Sequence, residues 1–250
     1  YNAKHFLPQC LSSLTKGDYK NIEILYVDNG STDGTSEYIN KHYPQIILIQ
    51  NLKNVGFSPA HEGILAKVKG DAALLLNTDT IVEENLLEEL VKALYEKKDI
   101  GAVQPKILMY PDKNKIDSIG AFFLNNGLLY HLGYEKDCNR PMYNKAMEIF
   151  STKGAIMLIK KKVLDKVSFP KHGNHKASIF DQDYFTAFED TDLCIRIWLA
   201  GYMILYVPTT KAYHVGGGAV KKMMRSFVLF HGEKNRLATY LKNLSPKYLL

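Results

Sequence analysis

Short apolar runs alternate with amphipathic stretches through the first half of the chain. Residues 22–27, 46–50, 72–76 and 102–109 are strand-like, and helical spacing fills the intervals at 3–14, 35–42, 59–68 and 85–96. Because parallel neighbours need a crossover, this alternation predicts βαβ units and a mostly parallel sheet. The first three strands end in polar residues. After Pro111 the pattern changes to Gly- and aromatic-rich segments, and residues 122–129 read as a hairpin around an Asn126-Gly127 turn. A strand at 155–159 follows, then a loop at 171–183 rich in Lys, His and Asn, a helix from about Glu189, a strand at 203–207 and a basic helix. There is no internal repeat, low-complexity linker or sharp composition break.

Length and composition narrow the class. A chain of 250 residues fits one large domain or two small ones. With 46% apolar and 23% charged residues it buries a sizeable core, which excludes a disordered or collagen-like protein. The net charge of +6 favours anionic partners: nucleotides, nucleic acid or an acidic membrane surface. The cysteines, Cys10, Cys138 and Cys194, form no CxxC or Cys/His cluster of metal-ligand spacing, so a reducing compartment is expected. No apolar run approaches the roughly 20 residues that span a bilayer, and neither a membrane span nor a signal peptide is expected in this sequence. The Asn29-Gly30-Ser31 and Asn243-Leu244-Ser245 sequons are set aside for a cytoplasmic protein. The chain opens at Tyr1-Asn2 and enters a helix without the strand that begins a nucleotide-binding unit; both ends are expected to be cut.

Ligands of open α/β sheets bind beyond the carboxyl ends of strands, and three polar clusters fall there. In the first, at 28–35, a strand runs into Asp28, a Gly turn and an N-cap at Thr32 or Asp33. A carboxylate there can accept hydrogen bonds from a nucleobase; the alternative is a tight βα turn with capping residues. An EF-hand is a poor match, with Gly30 at its third position and no acid at the twelfth. In the second, at 74–80, a buried strand delivers Asp79 to the sheet edge. An unpartnered buried carboxylate is costly, and Mg²⁺ or Mn²⁺ carrying a diphosphate would partner it. The alternative makes Asp79 the N-cap of a helix from about Val82. In the third, Glu189, Asp190 and Asp192 open a helix, and Tyr213-His214 and a run of glycines follow after a strand. Asp192 and Arg196 form an i,i+4 pair and acids suit a helix N-terminus, but Glu189 and Asp190 exceed what capping requires. His214 is either a satisfied core histidine or a metal ligand, the glycines behind it allowing close backbone approach.

The ordered set DNGSTDGT, LNTDT, FEDTDLCIR and HVGGG resembles the inverting family 2 glycosyltransferases, particularly their rhamnosyltransferase-like members, over nearly the whole chain. The resemblance implies the GT-A fold: α/β, with a mostly parallel Rossmann-like sheet flanked by helices and a smaller acceptor-side sheet, its first strand missing here. It implies a single domain over residues 1–218, with a nucleotide-sugar half at 1–110 and an acceptor half at 111–218, followed by a basic amphipathic segment at 219–250. Tyr1 and Asn2 resemble the pair that ends the missing strand. By the same resemblance Asp28 contacts the donor base, with Asn29 and Gly30 beside it. Asn54 and Gly56 form the phosphate-side turn, Phe57 being core, and Asp79 binds the metal. Asn77 stands where many relatives carry the first acid of an Asp-x-Asp motif. His214 resembles a second metal ligand, Asp190 the catalytic base and Glu189 its neighbour in the acceptor site. The implied cofactor is Mg²⁺ or Mn²⁺. The implied partners are a dTDP- or UDP-linked sugar, dTDP-rhamnose and UDP-hexoses leading, and a glycan or lipid-linked acceptor at the cytoplasmic membrane face, read by loops at 133–149 and 171–184.

Other classes fit less well. A nucleotidyltransferase would show a Gly-rich phosphate loop near the start, and a dehydrogenase a GxGxxG after a strand. A non-catalytic sugar-nucleotide or membrane-surface module remains an alternative. Nucleic-acid binding is not expected, because the lysine groups at 160–162 and 221–222 are not interleaved with a stacking platform. The apolar and basic residues of the 223–250 stretch suit either an interfacial helix on anionic lipid or a helix packed on the domain.

Overall fold

Strands whose two faces are both buried read as continuous apolar runs, and the centre of the molecule is built from such strands. The computed structural model describes residues 1–124, 128–173, 176–216, 224–245 and 247. In chain order the elements are α1 (Leu7–Lys16), β1 (Leu25–Asp28), α2 (Thr35–His42), β2 (Ile47–Gln50), α3 (Phe57–Ala60), β3 (Ala72–Leu76), β4 (Thr80–Val82), α4 (Leu86–Glu96) and β5 (Ile100–Met109). Then come β6 (Ile116–Ser118), β7 (Ala121–Phe123), β8 (Leu129–His131), β9 (Met147–Glu148), β10 (Ile156–Lys160), α5 (Lys161–Val167), α6 (Glu189–Leu199), β11 (Met203–His214) and α7 (Arg225–Asn243).

The main sheet runs β3-β10-β5-β11-β4, with β6 on β5 and β9 on β11. Its β5–β11 ladder is parallel and its other ladders are antiparallel. A second parallel ladder, β1–β2, forms a sheet of its own. The sheet expected to be mostly parallel is therefore mixed. Side chains of β10 alternate between layers: Ile156 and Leu158 pack with Leu86, Leu90 and Leu94 of α4, whereas Met157 and Ile159 pack with Leu193, Cys194 and Ile197 of α6. A smaller core joins Leu7 and Leu11 of α1 to Ile39 and Ile46.

Several elements depart from their predicted bounds for visible reasons. The helix expected at 59–68 is broken: α3 and a 3-10 turn at Ile64–Lys67 flank Gly63, whose φ of +72° is left-handed. The strand expected to stop at 207 continues through a register shift to His214, because Lys211 to His214 pair with β5 and buried Thr210 bonds Asn85 at 2.9 Å. The expected hairpin is the β7–β8 pair; its turn residues 125–127 lie outside the described residues. The three cysteines are free and buried. Among the described residues no helix is long and apolar enough to cross a membrane.

Candidate active site

The turn after β1 is cross-braced by its own side chains. Asp28 is buried; its Oδ1 accepts the Ser31 N–H at 3.1 Å and its Oδ2 accepts the Ser36 hydroxyl. Asn29 donates to Asn54 Oδ1 and the Gly56 carbonyl, both at 2.9 Å, and accepts from the Val55 N–H at 3.2 Å. This ties the 28–31 turn to the 51–56 turn. Gly30 (φ +76°) and Gly56 (φ +95°) have no room for a Cβ, which would sit 2.6 Å from the Lys53 backbone and from the Phe185 ring respectively. Asn2 donates its N–H to Ser31 Oγ and accepts from the Thr32 N–H, each at 2.8 Å, so Tyr1-Asn2 borders the same turn. The N-cap of α2 is Gly34 rather than Thr32 or Asp33; Asp33, one residue earlier, accepts the Thr35 N–H at 3.1 Å.

Asp79 is not a helix cap: β4 follows it directly and α4 starts only at Leu86. The Val215 N–H donates to the Asp79 carbonyl at 3.0 Å, and β11 pairs His214 with Thr80. This register carries His214 Nε2 to 3.5 Å from Asp79 Oδ1. The other ring nitrogen, Nδ1, lies 2.8 Å from Asp117 Oδ2, and Lys153 Nζ lies 2.5 Å from Asp117 Oδ1. Burial alone would lower the His214 pKa, but the bonds to Asp117 and Asp79 outweigh it and raise it to about 9. Asp117 is held below the usual carboxylate range: burial opposes this, and His214 and Lys153 overcome it. Asn77 precedes this pair, with its N–H on the Ala155 carbonyl at 2.9 Å.

The donor set fits a hard divalent cation. Asp79 oxygen and His214 nitrogen converge within the spacing of neighbouring ligands on one ion, and a cation there would replace the proton between them. Among the described residues no group of three His, Cys, Asp or Glu comes together as a ready-made metal cage. Gly217 and Gly218 lie outside the described residues.

Glu189 and Asp190 open α6 behind two consecutive left-handed residues, Ala187 and Phe188, each with φ of +71°. Such backbone persists only where its surroundings hold it. Here α7 does so: fully buried Asn235 donates through Nδ2 to the Thr186 and Ala187 carbonyls, both at 2.8 Å. Thr239 meets the Tyr184 hydroxyl at 2.8 Å, Lys242 bridges Asp181 and Asp183, and Asn243 donates to Asp192 at 2.8 Å. Asp190 Oδ1 accepts the Thr191 N–H at 2.7 Å, and its Oδ2 lies against Gly154, where a Cβ would come within 2.9 Å. Burial, with the Asp190 charge adding, pushes the Glu189 carboxyl well above the usual range. Asn235→Ala is expected to destabilise the fold by about 1–3 kcal/mol, the cost of leaving bonded carbonyls without a donor; thermal melting checks this, and an unchanged melting temperature would show that the strained turn holds itself.

The glycosyl transferase family 2 model matches residues 1–167. The chain belongs to that family. The match ends before α6 and β11, so it does not itself include Asp190 or His214. Among curated relatives, N-acetylglucosaminyl-diphospho-decaprenol L-rhamnosyltransferase of Mycobacterium tuberculosis (strain ATCC 25618 / H37Rv) is 24% identical over 239 residues, covering 86% of this chain and 73% of that protein. The uncharacterized protein y4gI of Sinorhizobium fredii is 26% identical over 216 residues, or 81% of this chain and 22% of y4gI. Among solved structures, GalNAc-T7 with UDP, GalNAc and Mn²⁺ superposes with a TM-score of 0.67 at 16% identity, over 94% of this chain and 45% of that one. The mannosyltransferase PcManGT from Pyrobaculum calidifontis, in complex with GDP-Man and Mn²⁺, gives 0.64 at 16% identity, over 100% and 64%. The chain thus spans less than two thirds of y4gI and of both structures. Their likeness shows the GT-A fold.

Asp117, Lys153, Gly154 and Asn235 brace the candidate site of this glycosyltransferase family member, and sequence reasoning missed them. Lys153 and Gly154 leave no pattern in the chain. Asn235 and Thr239 did leave one, as uncharged polar residues at i,i+4 along α7.

Proposed function

We propose that this chain is an inverting glycosyltransferase that moves a sugar from a dTDP- or UDP-linked donor to a hydroxyl of a glycan or lipid-linked acceptor. The observation that carries this reading is the convergence of Asp79 and His214 at 3.5 Å on an edge where Gly154 borders Asp190 and the adjacent Lys153 holds Asp117. The Mn²⁺-containing nucleotide complexes of the two structural neighbours and the lipid-linked acceptor named in the rhamnosyltransferase support the same chemistry here.

Asp79 and His214 would hold Mg²⁺ or Mn²⁺, which when bound supplies Lewis-acid stabilisation of the departing diphosphate. Tyr1, Asn2, Asp28, Asn29, Gly30, Asn54, Gly56 and Asn77 line the donor side, where the braced turns fix the backbone before the donor arrives. Asp190 accepts the proton of the attacking acceptor hydroxyl. The new bond forms between that oxygen and the anomeric carbon as the bond to the diphosphate oxygen breaks, so the configuration inverts in one step. Glu189 is the neighbour of the base in the proposed acceptor site, and burial, with the Asp190 charge adding, disfavours the charged form of its carboxyl. A panel of dTDP- and UDP-sugars with Mn²⁺ and prenyl-diphosphate glycan acceptors tests the reading: anomerically inverted product supports it, and retained configuration defeats it.

With such an acceptor the enzyme would work at the cytoplasmic face of the cell membrane, and the exposed face of α7 supports that reading. Its inner face packs on the domain through Asn235 and Thr239, as one of the two expected arrangements requires. Its opposite face leaves Leu229, Phe230, Leu237 and Leu241 more than half exposed, with Lys234 on the same helix. Such a stripe suits an interfacial helix on anionic lipid. Flotation with phosphatidylglycerol vesicles should carry the wild type upward and leave a Leu237→Glu/Leu241→Glu variant at the bottom; equal flotation removes α7 from the membrane contact.

A further inference from the structure

Asp117 sits in the middle of β6, a short strand that carries none of the family-like motifs, and it is only 6% exposed. A buried carboxylate at such a place calls for partners, and it has them on both sides. Its Oδ2 meets His214 Nδ1 at 2.8 Å, and its Oδ1 meets Lys153 Nζ at 2.5 Å. Lys153 is itself anchored, its backbone N–H donating at 2.6 Å to the side chain of Gln104, a fully buried residue of β5. The resulting row, Asp79, His214, Asp117, Lys153, takes each member from a different segment, so its alignment is a property of the tertiary fold.

An imidazole that donates Nδ1–H to a carboxylate has its Nε2 lone pair directed away from that carboxylate. In His214 that direction leads to Asp79. Resting on the metal reading above, we propose that Asp117 is a positioning residue that fixes the tautomer and ring orientation of His214, so that Nε2 faces a divalent cation shared with Asp79. Lys153 keeps the Asp117 carboxylate aimed from behind. Asp117 makes no contact with the cation itself, and its effect passes through the histidine ring.

Mn²⁺ binding, followed by electron paramagnetic resonance at saturating UDP, tests this without a transfer assay. Outer partners of metal-bound histidines are typically worth roughly 10–100-fold in metal affinity, and Asp117→Asn should weaken Mn²⁺ by about that factor while UDP binding without metal and thermal melting change little. In a His214→Ala background the same substitution should cost nothing further, because its target is gone. Histidine-nitrogen modulation in the Mn²⁺ spin-echo signal should be present in the wild type and diminished in Asp117→Asn at saturating Mn²⁺. Equal affinity in the two proteins, or losses that add in the double variant, overturns the inference while leaving the metal site standing. Absence of Mn²⁺ coupling to UDP in the wild type overturns the metal reading and this inference with it. Should Asp117→Asn fail to fold, Lys153→Met is read by the same cycle: weaker Mn²⁺ only when His214 is present supports the proposal, and unchanged Mn²⁺ refutes it.

Discussion

Asp190→Asn is expected to reduce sugar transfer by about 10²–10⁴-fold, the usual worth of a positioned general base, with UDP and Mn²⁺ affinities unchanged. The substitution isolates basicity because the geometry survives it. Asparagine keeps an oxygen for the Thr191 N–H, now bonded at 2.7 Å, and its amide is the same size as the carboxylate oxygen that lies against Gly154. The strained Ala187-Phe188 turn stays pinned by Asn235, so α6 should start where it does now. The loss should fall on turnover at saturating donor and metal. Full transfer under those conditions would remove Asp190 as the base. Glu189 is then the neighbouring carboxyl to examine, but its burial favours the protonated form, which cannot accept the proton. A mirror experiment follows from the packing: Gly154→Ala forces a Cβ to within 2.9 Å of Asp190 Oδ2, and it should lower turnover by displacing the carboxylate while leaving donor affinity intact.

What the sequence disclosed depended on whether a feature is written locally. The strand at 72–76 and the helix at 35–42 match β3 and α2 residue for residue, since period and punctuation specify them. Strand direction is not written locally. Residues 156–160 have the same apolar run whether β10 lies parallel or antiparallel to β3, and tertiary pairing chose antiparallel. The strand read at 203–207 is followed by Pro208, Thr209, Thr210 and Lys211, which carry no apolar run, yet pairing with β5 carries β11 on to His214. Asp79 and His214 each had a signal of their own: an acid delivered by a buried strand, and a histidine before glycines. Asp117 had none, because its partners His214 and Lys153 are 97 and 36 residues away and only the β5–β6 register brings it to them.

Asp79→Ala is the second substitution with a large expected effect, and its contrast with Asp28→Ala shows how two carboxylates at strand ends differ. Asp28 is consumed by its own turn, accepting from Ser31 and Ser36, so its removal should loosen the start of α2 and lower thermal stability first. Asp79 sits instead beside a histidine whose far nitrogen is already bonded to Asp117. Its removal deletes one of the two proposed metal donors and takes away the carboxylate beside His214 Nε2, leaving the bond from Nδ1 to Asp117. Lewis-acid stabilisation of a departing diphosphate is worth several kcal/mol, which at about 1.4 kcal/mol per tenfold corresponds to a rate loss on the order of 10²–10³-fold. Calorimetry gives the sharper reading. In the wild type Mn²⁺ should tighten UDP binding, and UDP should tighten Mn²⁺ by the same factor, as linkage requires. In Asp79→Ala that mutual factor should shrink toward unity, whereas in Asp28→Ala it should persist at temperatures where the fold is intact. Unchanged coupling in Asp79→Ala would take this residue out of the metal shell and leave the Asp79–His214 contact as a buried ion pair.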